Sequence, residues 1–217
     1  MRRLLTKETL RIALRRARFV AAFTLFAACV SRPPPVLAPD FETRRPVAVA
    51  VLPVVYLPSK DSQARKEGVS SRAYQRAMFV QRKETRNKVY QGLEIAARST
   101  LEKRGVGAVD PATVSQLLDE LSLAQRIDWD AFARDLHVDA LLFITLKEWS
   151  LRTQRDGQLA RVDVQVELHH VRDRDVLWKD SNAAGFVRVI GAGRTNPIGY
   201  VTAKAVSSAF ESFPGSQ

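Results

Sequence analysis

Few side chains in this sequence are of types and spacings that do chemistry. Its only cysteine among 217 residues, Cys29, excludes an internal disulfide framework and a CxxC zinc site. Three histidines leave little material for a metal cluster. His169 and His170 are adjacent in a stretch with strand periodicity, so their side chains point to opposite faces and cannot share one ion. His137 falls at the end of an expected helix, where a cation is mildly favoured, and a capping role is expected of it. Asp128 and Asp130 fit a helix start better than an acid/base pair. Gly191-Ala192-Gly193 has Asn196 where a dinucleotide loop needs its third glycine, and too few residues follow for a βαβ unit. No GxSxG occurs. The expectation is a protein that is not an enzyme, with no catalytic residue, no metal and no cofactor, and Cys29 becomes the residue to explain.

The residues around Cys29 give it a chemistry. Residues 1–28 hold seven basic side chains against Glu8, a contribution of +6 to the formal net charge of +11. After Arg18, Phe19 to Ala28 (FVAAFTLFAA) is uncharged and mostly apolar. Ten such residues are far fewer than the roughly 20 that span a bilayer as a helix, but they suit the apolar region of a secretory signal. The end, Leu25-Phe26-Ala27-Ala28-Cys29, resembles a bacterial lipobox, with Phe26 in place of the preferred leucine. In that reading Cys29 is diacylated and becomes the mature N-terminus. Ordinary signal-peptidase cleavage fits less well, because Phe26 stands where a small residue is wanted and Val36-Leu37-Ala38 is followed by Pro39. A buried Cys29 in a cytosolic protein is the remaining alternative. Arg15-Arg16 is similar to a twin-arginine signal, with Phe19 one place late. Residues 29–45 carry four prolines by Pro39, a semi-rigid extended spacer. Three acyl chains would make a stable anchor, and Val30 rather than an aspartate after Cys29 favours the outer membrane by analogy with enterobacterial sorting.

The elements that follow read as one α/β (α+β) domain over residues 46–214. Val47 to Val55 is an unbroken apolar run, the mark of a central strand covered on both faces. Val89, Leu93, Ala96, Ala97 and Leu101 recur at helical spacing and Gly105 stops that helix. Asp110-Pro111 opens a second helix with Val114, Leu117, Leu118 and Leu121, and Asp128 a third with Trp129, Phe132, Ala133 and Leu136. Ala140 to Leu146 is a buried strand. From Arg161 to Leu168, Val162, Val164, Val166 and Leu168 alternate with Arg161, Asp163, Gln165 and Glu167, giving one core face and one wet face. Arg172 to Asp175 reads as a hairpin turn, Val176-Leu177-Trp178 as the return strand, and Phe186 to Ile190 as a further strand or its continuation. Pro197 to Phe213 closes with a helix turned inward on Val201, Ala205, Val206, Ala209 and Phe210. The sum is a mixed sheet of four or five strands packed by three or four helices. Trp149 and Trp178 on strands are core or sheet-face residues, with partner docking as the rarer role.

Val47 to Val54, the helix after it, Leu136 to Leu146, the long alternating strand and Val176-Leu177-Trp178 carry a resemblance over roughly residues 45–213. The chain resembles small periplasmic lipoproteins of the Neisseria type, which are related to the soluble domain of the curli-secretion lipoprotein and the amino-terminal domain of the Tol-Pal translocation protein. The resemblance implies an outer-membrane lipoprotein, facing the periplasm, that takes part in envelope assembly or export through contacts with other envelope proteins or with its own copies.

A departure from that pattern lies in the insertion over residues 57–88. Its span from Lys60 to Lys88 holds nine basic residues against Asp61, Glu67 and Glu84, which suits neither face of a membrane barrel strand, so no channel is expected. Arg72, Arg76, Arg82, Lys83, Arg86 and Lys88, with Tyr74, Met78 and Phe79 among them, suit a basic arm on anionic lipid or phosphorylated glycolipid. A solvated loop is the plainer reading of the same residues. Nucleic acid is not an expected partner of an exported protein, and the sequence names no small-molecule ligand. A hydrolase stands as the distant alternative. A scaffold should show an apolar surface patch or form oligomers, and a ligand-binding module should show one deep apolar pocket.

Overall fold

The computed structural model describes residues 34–57, 74–78, 88–121, 127–154, 157–190 and 197–214. In chain order these form β1 (Val36–Leu37), β2 (Ala48–Val51), β3 (Val55–Tyr56), α1 (Lys88–Lys103), β4 (Gly107–Ala108), α2 (Pro111–Leu121), α3 (Trp129–Asp135), β5 (Ala140–Gln154), β6 (Gly157–His170), β7 (Val176–Ile190) and α4 (Pro197–Phe210). Residues 74–78 are also helical. The sheet runs β1-β7-β6-β5-β2-β4, with β3 also on β5. The α/β class holds, with four strands of four or more residues extended by three two-residue pairings. Strand β2 is parallel to β5 and β4, while β5, β6 and β7 form an antiparallel meander. Phe186 to Ile190 belongs to β7 as its continuation.

The apolar run from Val47 to Val55 is two short strands rather than one. Pro53 has no N–H to give the ladder, and the pairing with β5 breaks there. The Glu94 carboxylate of α1 takes up the loosened backbone, accepting from Val54 N at 3.0 Å, and β3 resumes beside Thr145 and Leu146. Helix α1 ends as the sequence predicts: Gly105 has φ 75, Val106 N donates to the Leu101 carbonyl and Gly105 N to that of Glu102. Asp128 caps α3, accepting from Asp130 N and Ala131 N.

Two apolar clusters lie on opposite faces of the sheet. On the first, α1 and α4 cover β2, β5, β6 and β7; Val89, Leu93, Ala97 and Leu101 meet Val162, Val164, Val166, Trp178 and the inward stripe of α4. Helix α4 lies so close to β7 that a Cβ at Gly185 would sit 2.3 Å from the Val201 carbonyl oxygen. Trp178 packs edge-on to Phe213, which does the same to Phe41, and its indole donates to Ser212 Oγ at 3.2 Å. The second cluster joins α2, α3 and residues 74–78 to Ala50, Leu52, Leu141 and Phe143. It covers β2 and β5 with shorter helices.

Two register shifts flank the middle of β6. Lys147 has no opposite number on β6, and β7 carries an extra residue between Asp180 and Ala183. The Lys147 ammonium spans β6 and donates to the Ser181 carbonyl in that second irregularity.

Candidate functional site

The polar side of β6, on the sheet face of the second cluster, gathers ionisable groups. Alternation places Gln165, Glu167 and His169 there, and the antiparallel register brings Lys179 of β7 opposite Glu167. Lys179 Nζ lies 2.7 Å from Glu167 Oε1, Gln165 Nε2 donates to the same oxygen at 2.6 Å, and His169 Nε2 is 3.0 Å from Oε2. This face was expected to be wet, yet the Glu167 side chain is only 5% exposed. Burial alone would raise its carboxyl; the hydrogen bonds from His169 and Lys179 and the charge of Lys179 outweigh burial and hold it at about 2.

Aromatic rings border the cluster. The Phe143 ring meets those of Tyr74, Trp129 and His169 edge-on, with His169 at 5.0 Å between centroids. Burial pushes the Tyr74 phenol well above its ordinary value; its hydrogen bond with Thr145 opposes this and the nearby Glu167 charge adds to it. A carboxylate that stays ionised down to about pH 2 makes a poor general acid and a weak base near neutrality. Glu167 is therefore a fixed anion that ties two strands together.

A second ionic group closes the turn between β6 and β7. Arg44 Nη1 lies 3.0 Å from Asp173 and 3.2 Å from Asp175, and Arg44 Nε is 2.9 Å from Asp40. His170 Nδ1 is 3.1 Å from Asp173, so the adjacent histidines have separate partners, as strand alternation required. Arg174, at φ 58, reaches Asp130 at the start of α3. His137 stands just past the end of α3 at φ 53, its N–H donating to the Arg134 carbonyl, in the left-handed position where glycine is usual.

A groove of about 410 Å³ between α1 and the start of α2 is lined by Ile95, Arg98, Ser99, Glu102, Asp110 and Pro111. Its charges are met internally, Arg98 lying 2.8 Å from both Glu102 and Asp110. Among the described residues no group of three or more His, Cys, Asp or Glu side chains is placed to hold a metal, and no helix is long and apolar enough to cross a membrane.

Cys29, Arg72, Arg82, Lys83 and Arg86 lie outside the described residues, as do Gly191, Ala192, Gly193 and Asn196. Arg76 and Lys88 are described, and both are exposed. Tyr74 and Met78, expected on the apolar side of a basic arm, are buried in the second cluster. Trp178 is a core residue and Trp149 half-buried against the first cluster. The Glu167 cluster was not foreseen. Its only sequence signal was a carboxylate, an amide and an imidazole at every second position, and the partner lysine depended on a register shifted by irregular residues.

No family model matches the chain, and no curated protein matches it. Solved structures do. Lipoprotein GNA1162 from Neisseria meningitidis matches at 13% identity and TM-score 0.48, over 74% of this chain and 96% of that one. A PelC dodecamer from Paraburkholderia phytofirmans matches at 16% identity and TM-score 0.44, over 78% and 90%. The LpoB C-terminal domain from Salmonella enterica matches at 11% identity and TM-score 0.30, over 67% and 83%. The structural neighbours of this chain thus include a Neisseria lipoprotein, the kind its residue patterns resemble; at these values the likeness carries no argument about function.

Proposed function

We propose that this chain is a lipid-anchored protein of the bacterial outer membrane, held on the periplasmic face through Cys29, that works without catalysis in envelope assembly or export by contacting other proteins. One observation carries the reading: a basic leader and ten apolar residues end on Ala27-Ala28, directly before the only cysteine, and a proline-rich spacer follows. The chemistry of the body is in keeping with it. Its buried Glu167 carboxylate joins β6 to β7, and the groove between α1 and α2 is lined by charges already paired with one another.

The test is metabolic labelling with a radioactive fatty acid, comparing the natural chain with Cys29→Ala. The natural chain takes up label and the variant does not; equal label on both removes the anchor. The variant is also expected to be recovered folded and soluble, and its precipitation would argue for a more intimate membrane role.

A second reading assigns anionic lipid or glycolipid to the basic segment 60–88. What favours it is that Arg76 and Lys88 are exposed cations while their apolar neighbours Tyr74 and Met78 are anchored in the core.

A further inference from the structure

One edge of the sheet is left open. Strand β7 carries β1 on its outer side at Trp178 and Lys179, and from Ala184 to Ile190 no described strand lies there. The ladder fixes which backbone groups point outward. His170 N donates to the Asp175 carbonyl, so the even residues of β6 turn their N–H and C=O toward β7. Val164, Val162, Ala160 and Gln158 pair in turn with Ala183, Gly185, Val187 and Val189. The residues between and beyond those partners, Ala184, Phe186, Arg188 and Ile190, therefore turn their N–H and C=O away from the sheet.

Sheets protect such an edge with proline, a bulge or an inward charge. Here the irregular residues and buried Asp180 come before the open stretch, and Ala184 to Ile190 (AGFVRVI) holds no proline and a single charge. A β-prone segment of that kind invites pairing. The chain's own continuation does not supply it. Read backward from Val36, β1 heads along β7 toward this stretch, but Pro35, Pro34 and Pro33 come next and have no N–H to give a ladder. Pro34 and Pro35 are exposed and lie outside any strand.

We propose that the open edge of β7 pairs with the same edge of a second copy of this chain, antiparallel about a twofold axis at Val187. An antiparallel edge is its own complement, and a second copy covers both open edges at once and closes the assembly, whereas a foreign strand would present a new edge of its own. The register centred on Val187 sets Ala184 opposite Ile190 of the second copy and Phe186 opposite Arg188. Every outward N–H and C=O then has a partner, and the two Arg188 charges do not stand opposite each other. This inference rests on the reading that the chain works through protein contacts and names one of them; it stands apart from the anchor at Cys29.

The test is sedimentation of the full chain in a density-matched detergent, in which the natural chain is expected to be a dimer. Ala184 is exposed, and Ala184→Pro removes an outward N–H while leaving the ladder to β6 intact. The bond is lost twice by symmetry, so the dissociation constant should rise at least about 25-fold, with thermal unfolding of the body unchanged. Oxidative cross-linking gives a second readout that does not depend on a proline. Position 187 faces itself across the axis at about 4.5 Å between Cα atoms, within disulfide reach, whereas position 184 lies about 20 Å from its counterpart. Val187→Cys should yield a peptide joined 187 to 187, identified by mass, and Ala184→Cys should yield no 184 to 184 product. A monomeric natural chain, or a dimer that joins at 184 as readily as at 187, overturns the pairing. Fatty-acid labelling of Cys29 reports the anchor separately, so either can fail without the other.

Discussion

The two faces of the sheet are held by different physics. The first is closed by two long helices whose inward stripes are apolar apart from buried Thr202, and a glycine permits close approach of α4 to β7. The second is closed over β2 and β5 by shorter helices and, along β6 and β7, by Glu167 with Lys179, Gln165 and His169. Burial on the first face depends on shape and is indifferent to pH. The second face adds an electrostatic tie that titrates. Stability should therefore be lost through packing on one face and through acid on the other.

The largest effect is expected from Trp178→Ala on the first face, about 3 to 5 kcal/mol of lost stability in denaturant unfolding, because a fully buried indole with two aromatic neighbours leaves a large cavity. Gly185→Ala should cost about 3 kcal/mol, since its methyl would meet the backbone of α4. A loss below about 1 kcal/mol would show that α4 can shift, and would blur the contrast between the faces.

On the second face, the depressed carboxyl of Glu167 contributes stability that is fully present above its unfolded value near 4.5 and is lost as pH falls toward about 2. The pH dependence attached to this group amounts to about 3 kcal/mol. Glu167→Gln should flatten the stability profile between pH 4.5 and 2, measured by thermal unfolding across that window. At neutral pH it should cost about 1 to 2 kcal/mol, because Lys179 is one-third exposed and water takes over part of its charge. An unchanged acid limb in the variant would remove the electrostatic account of this face. The smallest expected effect has the opposite sign: His137→Gly should stabilise by about 1 kcal/mol or less, relieving a side chain from the left-handed region at the end of α3.

Particular elements show what could be read in advance. The stripes of α1 and α4 were legible because side chains three and four apart must share a face, and every inward position named for α4 is buried. The core side of β6 was legible because strand side chains alternate. The break at Pro53 was not, because its repair comes from Glu94, which no local pattern ties to Val54. Glu167 was placed on a wet face because alternation gives a direction and says nothing of what will cover it.

From the order of residues alone came the periods, the helix stops at Gly105 and the cap at Asp128, and the basic leader ending at a single thiol, all of which depend on neighbours a few positions apart. Only the folded chain decided that Glu167 would meet Lys179, that Gly185 would lie under α4, and that β1 would pair antiparallel with β7. Those contacts join residues remote in sequence. Register and helix docking are set by the sum of many weak burials and pairings, and no single stretch of the chain contains that sum.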